Sequence, residues 1–508
     1  MRTIFVCLTA VAIVSAAPAI AQDNSGAQGK AAVDVNSRLV DQYNEHMGAR
    51  QFGDALADLK RVKLEDGNRE GRGVLYAMTA NALLGLKRDR EARDAIAKAD
   101  SIAPQLPAVA NVTFYGGLLT ARFDISAEAL DKMFARYPDA VRDIDLDSMS
   151  FFLRNEPKGQ DRQNDDRRVQ LARIGYGGDL NGDYFASEAI DILLKRADPA
   201  AAGALLKHVD QPMMIENMLV QKRYSALWPR LVEVAGPHLS KVRASSVAAA
   251  ERAYSEKPDD HDLLEGYANA LRHAGRLDDA IALRAKLPTA ADMPSADEKL
   301  GWAVNNVAIS LHEAGRGDEA DRLFALLNDA PIKDAGWRVS MIINRVEMLV
   351  NDGKFERAVP LLDATESSAK NDGSPYAQQL VRRLRFCTLA GLGRQSDAAK
   401  VRADLLAHAK DAYHATVDAL LCAGDVDEAE KLTLTALRNT DEKMRSSFEE
   451  DFVRGLQPIP LTSDDPSKWQ GRWAELRKRP AIAKEYERLG RDMPPEFLPP
   501  KPDAAVVK

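Results

Sequence analysis

The sequence repeats one short pattern five times between residues 259 and 439: Gly275-Arg-Leu-Asp-Asp-Ala280, Gly315-Arg-Gly-Asp-Glu-Ala320, Gly353-Lys-Phe-Glu-Arg-Ala358, Gly393-Arg-Gln-Ser-Asp-Ala398 and Gly424-Asp-Val-Asp-Glu-Ala429. Apolar residues recur at helical spacing on both sides of each copy. Glycine commonly follows the last turn of a helix because it adopts left-handed backbone angles without a steric cost. The acidic residues after it suit the positive end of the next helix dipole. The pattern therefore predicts pairs of helices joined by a tight turn.

The alanine of each copy marks the place where we expect the two helices of a pair to cross. Its small side chain lets two antiparallel helices approach closely. From alanine to alanine the copies step by 40, 38, 40 and 31 residues, which brackets the periods of known helical repeats. The sequence thus predicts an all-α protein, an α-solenoid of antiparallel helical hairpins with degenerate repeats.

Two neighbouring hairpins carry most of one repeat signature. The second matches at Val304, Asn306, Ala308, Leu311, Gly315, Ala320, Phe324 and Pro331, and the first matches at Leu264, Tyr267, Ala268, Leu271, Gly275, Leu277 and Ala280. These hairpins resemble the tetratricopeptide-repeat family. Gly317, Arg345 and Arg385 depart from its usual aromatic and apolar positions. The resemblance implies a right-handed superhelix, in which the first helix of each hairpin lines a concave groove.

Residues 1–21 have the features of a secretory signal peptide: a basic start, an apolar run and the small residues Ala19 and Ala21 before Gln22. The sequence predicts cleavage after Ala21 and export to the bacterial periplasm or beyond. The alternative is an uncleaved anchor, which Pro18 disfavours because proline breaks a helix. After cleavage, no stretch has the apolar length needed to cross a membrane.

The rest of the chain divides by composition and periodicity. In order, we predict a flexible leader at 22–37, tetratricopeptide-like hairpins at 38–110, an atypical helical region at 111–258, the repeat block at 259–439, capping helices at 440–492 and a proline-rich tail at 493–508. The polar run 154–166 predicts a loop within the atypical region. Trp469, Trp473 and Leu476 predict one apolar face on a capping helix.

Composition and motifs disfavour several functions. The net charge of −7 disfavours a nucleic-acid partner. The histidines lack metal-binding spacing, and we find neither a nucleophile elbow nor a phosphate-binding glycine loop. Asp179, Asn181 and Asp183 alternate as in a calcium loop. However, Tyr184 and Ile190 stand where that loop needs Gly and Glu, so we favour an inter-helix turn at residues 175–183. We predict no catalytic residue, metal or cofactor.

The resemblance places seven side chains along the groove: Asn269, Arg272, His273, Trp302, Asn305, Ile309 and His312. Amides can bond a peptide backbone, and Arg272 can hold a carboxylate. The alternative is that Trp302 packs between hairpins and the polar residues are solvated. Replacing both Asn305 and Arg272 by alanine should leave thermal stability nearly unchanged, as exposed surface changes usually do, but abolish capture of the partner.

The predicted function is a scaffold that binds an extended peptide or a partner protein of the cell envelope. Two other classes stay open. One is an all-helical hydrolase or lyase of cell-wall or polysaccharide material. The other is an architectural subunit of an envelope complex. A pair of carboxylates in a deep cleft would favour the enzyme.

Cys387 and Cys422 are the cysteines that remain after export. Each lies near the end of the first helix of its hairpin, in consecutive repeats. An exported pair can oxidise, provided that the Cα atoms lie within about 7 Å of each other. Two separate buried thiols are the favoured interpretation, since buried cysteines behave as small apolar residues.

Overall fold

The computed structural model describes residues 27–64, 68–329, 336–458 and 468–498. Its contacts divide the chain into unit 1, Met1–Ile192, and unit 2, Leu193–Lys508. Within the described ranges the regular secondary structure is helical, apart from one isolated β-bridge. None of the described helices is long and apolar enough to span a membrane. The predicted signal peptide and residues 499–508 of the predicted tail lie outside the described residues.

Unit 1 is a series of helices, of which the first six pack in three successive pairs. They are α1 (Ala27–Gly48), α2 (Phe52–Leu59), α3 (Arg69–Gly85), α4 (Asp89–Ile102), α5 (Pro107–Leu119), α6 (Phe123–Arg136), α7 (Leu146–Arg154) and α8 (Asp161–Arg173), and α9 (Gly178–Lys195) runs across the division. The regular pairing of α5 with α6 continues beyond residue 110. The division after Ile192 falls inside the predicted segment 111–258.

Unit 2 continues with α10 (Pro199–Leu205), α11 (Pro212–Val220), α12 (Trp228–Ala235) and α13 (Ser240–Glu256). The five motif hairpins follow: α14 (His261–His273) with α15 (Leu277–Ala282), α16 (Glu298–Glu313) with α17 (Gly317–Asp329), α18 (Arg338–Asn351) with α19 (Phe355–Asp372), α20 (Pro375–Gly391) with α21 (Gln395–Ala407), and α22 (Tyr413–Cys422) with α23 (Val426–Leu437). The last helices are α24 (Glu442–Gly455), α25 (Lys468–Arg477) and α26 (Pro480–Leu489). The predicted fold class is confirmed: the described part of the protein is all-α, and its repeat block is built of sequential antiparallel helical pairs.

The five motif glycines adopt the left-handed conformation that the pattern predicts. Their φ angles lie between 71° and 79°. In each copy the residue after the glycine donates its N–H to a leucine carbonyl five residues earlier, at 2.8–2.9 Å. The motif alanines are almost completely buried, from 0% exposed at Ala320 to 3% at Ala398. The turn and the close helix crossing therefore occur as expected.

Unit 1 uses the same turn without glycine. Arg50, Lys87 and Ala121 have φ angles of 60°, 59° and 56°. The residue after each of them donates its N–H to the carbonyl five residues earlier, at 2.8–2.9 Å. Five residues beyond Ala121, Ser126 is completely buried and takes the place of the motif alanine. The repeat therefore continues where the glycine pattern is lost.

Ala121 offers a test of this turn. Changing Ala121 to Gly should stabilise the protein by about 1 kcal/mol, because a left-handed conformation costs an L-residue with a Cβ about that much. The matched change Ala127→Gly lies inside α6, where glycine should destabilise by about 1 kcal/mol. Urea unfolding of both variants measures the two effects. Equal destabilisation would show that Ala121 is not in a left-handed turn.

Three sequence predictions need correction. Residues 27–37 belong to α1 rather than to a flexible leader, and the alanines there favour helix. The predicted loop 154–166 ends earlier, because α8 begins at Asp161. In α8 a buried arginine, Arg167, takes a core position and pairs with Asp131 through two bonds of 2.8 Å, so apolar periodicity is missing. The predicted turn 175–183 ends at 177, and α9 begins at Gly178.

The last helices of unit 2 contact both its last hairpin and its first helices. On α25, Trp473 Nε1 donates to Asp418 of α22 at 2.9 Å, and Leu476 is completely buried; the side chain of Trp469 lies outside the description. On α24, Glu450 accepts from Asn217 of α11 at 2.9 Å. Beyond α26, Arg491 donates to the Leu219 carbonyl at 2.7 Å. The sequence predicts that these helices cap the repeat block, but it does not predict their contacts with α11 near the start of unit 2.

Candidate functional site

The first helices of the motif hairpins lie next to one another and form a wall. Helices α14, α16, α18, α20 and α22 each contact the next in this order. The positions that the motif aligns therefore recur from helix to helix along one surface. We call this surface the wall of unit 2, and it contains the seven groove residues that the sequence predicts.

At the start of the wall, the polar groove residues bond to the neighbouring helix. Arg272 pairs with Glu313 at 3.0 Å, and these side chains are only 14% and 3% exposed. Asn305, 2% exposed, accepts from Asn344 at 2.9 Å. Arg272 and Asn305 are thus not exposed surface residues. The exposure assumed for them is wrong, and we now expect their joint replacement to destabilise the protein.

The other predicted groove residues are also partly engaged. Trp302 and Ile309 are half-buried and pack against the core of the repeat block. His312 Nε2 lies 3.6 Å from a carboxylate oxygen of Asp352, and His273 Nε2 lies 3.1 Å from Arg272. Asn269 is half-buried. The structure brings these residues to one wall, but most of them hold the wall together.

The bonds between successive wall helices form a ladder of polar side chains. Asn306 of α16 donates to Glu265 of α14 at 3.0 Å, in addition to the pairs already described. Farther along, Arg383 of α20 bonds to Glu347 of α18 and lies 3.3 Å from Asp418 of α22. Buried hydrogen bonds require matched partners, so the ladder fixes the register of neighbouring helices.

The far end of the wall carries its most exposed aromatic residue. Tyr376, at the start of α20, is 47% exposed. Its ring centre lies 5.7 Å from that of His414, and its hydroxyl lies 3.4 Å from His414 Nε2. His414 Nδ1 in turn lies 3.3 Å from Asp451 of α24. Together with Glu347, Arg383 and Asp418 these residues form what we call the tyrosine end of the wall.

Negative charge exceeds positive charge at the tyrosine end. Burial raises the pKa of Tyr376, and Asp451, Glu347 and Asp418 raise it further, while Arg383 opposes them. Burial would lower the pKa of Arg383, but Glu347 and Asp418 outweigh burial and raise it. Burial also raises the pKa of Asp451. Three carboxylates and one guanidinium therefore act on the exposed ring of Tyr376.

The arrangement of these carboxylates differs from that of an acid–base pair. Glu347 and Asp418 both bind the same guanidinium, that of Arg383, and Asp418 also accepts from Trp473. Among the described residues, no three His, Cys, Asp or Glu side chains are grouped to hold a metal ion. The site offers a half-exposed aromatic ring in a negative field, which suits recognition.

Cys387 and Cys422 meet on the wall, on α20 and α22. Their Cα atoms are 5.7 Å apart and their sulfur atoms are joined. This separation lies inside the usual range for a disulfide. The sequence favoured two separate thiols, whereas this geometry favours the bridge between consecutive repeats.

The thiol content of the purified protein decides between these states. We expect protein purified without reductant from an oxidising compartment, then denatured, to have no titratable thiol at Cys387 or Cys422. Reduction with dithiothreitol after denaturation should release both thiols, because Cys387 is only 2% exposed in the folded protein. Peptide mapping with an alkylating reagent assigns each cysteine separately from Cys7. Two alkylated cysteines without prior reduction would contradict the bridge.

These features define a helical-repeat protein whose first helices form a polar wall. No protein-family model matches the chain, and no curated protein matches it. The solved structures similar to it include the APC/C hetero-tetramer Cut9-Hcn1, with 12% identity, 88% of this chain and 90% of that chain covered, and a TM-score of 0.28. The P58(IPK) TPR domain is 14% identical to this chain, with 88% of this chain and 100% of that chain covered and a TM-score of 0.18. The structure of Naa15/Naa10 bound to HypK-THB is 11% identical, with 89% of this chain and 79% of that chain covered and a TM-score of 0.26.

Proposed function

We propose that this protein is an exported binding scaffold whose tyrosine end holds an extended, basic segment of a partner protein. The observation that carries the proposal is Tyr376, whose half-exposed ring stands among Glu347, Asp418 and Asp451. A lysine or arginine side chain over this ring would gain cation–π attraction and the field of the carboxylates. Neutral or acidic segments would gain neither.

This proposal places the binding site at the tyrosine end of the wall, whereas the sequence predicts the groove at the start of the wall. The start of the wall, around Arg272 and Asn305, keeps the helices together and has few donors left for a ligand. The tyrosine end instead presents an aromatic face and carboxylate oxygens. Bridging of Cys387 to Cys422 would stiffen the two helices that carry Tyr376 and His414, so less order would be lost on binding.

Selection of a random-peptide library on the full chain tests this function. We expect the enriched peptides to contain lysine or arginine and to lose binding at least tenfold when Tyr376 is changed to Ala, since hot-spot aromatic residues contribute at this level. Tyr184 of unit 1 is 60% exposed and provides the control, because Tyr184→Ala should leave binding unchanged. Enrichment of acidic peptides, or equal binding by both variants, would refute the proposal.

Export forms part of the proposal and has its own test. The basic start, the apolar run and Ala19-Ile20-Ala21 support it. Mass spectrometry of the protein isolated from cell-envelope extract should find Gln22 as the first residue. An intact Met1 on membrane-bound protein would contradict cleavage after Ala21.

A further inference from the structure

His414 lies between the aromatic ring and one of the carboxylates at the tyrosine end of the wall. Its Nε2 atom lies 3.4 Å from the Tyr376 hydroxyl, and its Nδ1 atom lies 3.3 Å from a carboxylate oxygen of Asp451. The side chain of His414 is 27% exposed, so it can exchange protons with solvent. Histidine ordinarily changes its charge between about pH 5 and pH 8. The site therefore contains a group that can become a cation in mild acid.

The neighbours of His414 suit the charged form of its ring. A carboxylate attracts an N–H group rather than a lone pair, so the neutral ring keeps its hydrogen on Nδ1, next to Asp451. The lone pair of Nε2 then faces the Tyr376 hydroxyl, which donates to it. When Nε2 takes up a proton, both ring nitrogens are donors, and each of them faces an oxygen atom. Protonation of His414 therefore needs no rearrangement of the site.

The fixed charges around this histidine are nearly balanced. The charged groups that act on Tyr376 and Asp451 come from four helices: Glu347 of α18, Arg383 of α20, Asp418 of α22, and Asp451 and Arg454 of α24. Arg472 of α25 bonds instead to carbonyl groups at the far end of α22. Three carboxylates and two guanidiniums leave one net negative charge, which protonation of His414 cancels. Burial also raises the pKa of Asp451, so acid removes negative charge from the same place.

We propose that His414 is a pH switch of the tyrosine end, and that its protonation releases the basic segment. This inference rests on the proposed function. The centre of the His414 ring already lies 5.7 Å from that of Tyr376. As an imidazolium, His414 is itself the cation beside the aromatic ring and next to Asp451, and it competes with the lysine or arginine of the partner for both groups. Neutral His414 leaves both groups to the partner, so binding weakens as the pH falls.

Isothermal titration calorimetry of the full chain at about pH 7.5 and about pH 5.5, on either side of the usual histidine range, tests the switch. The probe is a capped pentapeptide with two arginines between glycines, because arginine stays protonated at both pH values. We expect the dissociation constant to rise about tenfold at the lower pH, the effect of one charge at this range in a partly solvated site. Near the midpoint of this change, peptide binding should release protons to the buffer. Titrations in two buffers of different ionisation enthalpy measure that release.

Two histidine variants assign the effect. His414→Gln removes the group that gains the charge, and it should reduce the pH effect to about threefold or less, the part left to the carboxylates. His408→Gln is the matched control. His408 also lies beside one aspartate, Asp404, at 3.1 Å, but it follows the end of α21 and should keep the tenfold effect.

A neutral peptide separates the switch from the binding site itself. The same peptide with citrulline in place of arginine should bind at least tenfold more weakly at the higher pH, because it lacks the charge. Equal binding of the two peptides, or binding of neither, would refute the proposed function and the switch with it. Tighter binding of the arginine peptide without a pH effect, without proton release, or with the same pH effect in His414→Gln would overturn the switch alone. Proton release is measured on the unchanged protein, so the test stays decisive if a variant misfolds.

Discussion

Changing Arg272 to Ala should destabilise unit 2 by about 3 kcal/mol, the usual cost of removing one partner from a buried ion pair. Glu313 is 3% exposed, so its carboxylate cannot regain full hydration when the guanidinium is lost. The pair also joins α14 to α16, and its removal weakens a contact between repeats. Urea unfolding followed by circular dichroism measures the change.

Arg276 provides the control in the same hairpin. It pairs with Asp279, but the two side chains are 48% and 53% exposed. Exposed pairs contribute at most about 1 kcal/mol, so Arg276→Ala should have a small effect. If Arg272→Ala is equally mild, the start of the wall is open surface, and the groove predicted there becomes available again.

Changing Ala320 to Leu should destabilise the protein by about 1–3 kcal/mol, because added methylenes overpack a close helix crossing. Ala320 is completely buried in α17, which packs directly on α16. The same position holds alanine in all five copies of the motif. Thermal or urea unfolding of the variant gives the magnitude.

Ala314, six residues earlier in the same hairpin, is exposed at the end of α16. Ala314→Leu adds the same volume where nothing packs against it, and it should change stability by no more than about 0.5 kcal/mol. An unfolding midpoint of Ala320→Leu that equals that of Ala314→Leu would show that the crossing is elsewhere.

The sequence predicts the hairpins of unit 2 well because their turns require glycine. The glycine that adopts the left-handed conformation and the alanine five positions later can both be read directly from the sequence. In unit 1 the same turn uses Lys87 and Ala121, although the left-handed conformation costs a residue with a Cβ free energy. The glycine pattern alone therefore does not reveal the repeat there.

The sequence predicts which residues lie on the wall, but it does not predict the contacts that their side chains make. Helical periodicity places Arg272 and Asn305 on it, but it does not say what each side chain meets. Arg272 and Glu313 are 41 residues apart, and their pairing depends on the register between adjacent helices. The sequence does not distinguish Tyr376 and His414 from other residues of the first helices, because neither belongs to the glycine–alanine motif. Alignment of all five first helices, rather than two, offers the signal that would have found His414.

Site-specific photo-crosslinking at position 376 tests the central claim most directly. A photoreactive phenylalanine analogue replaces Tyr376 in the protein expressed in its own cell envelope, and mass spectrometry identifies the crosslinked segment. We expect one partner segment that contains lysine or arginine close to the crosslink, and we expect that segment to be absent when the analogue replaces Tyr184. Crosslinks only to segments without a basic residue, or the same segment from position 184, would contradict a basic-segment site at the tyrosine end of the wall.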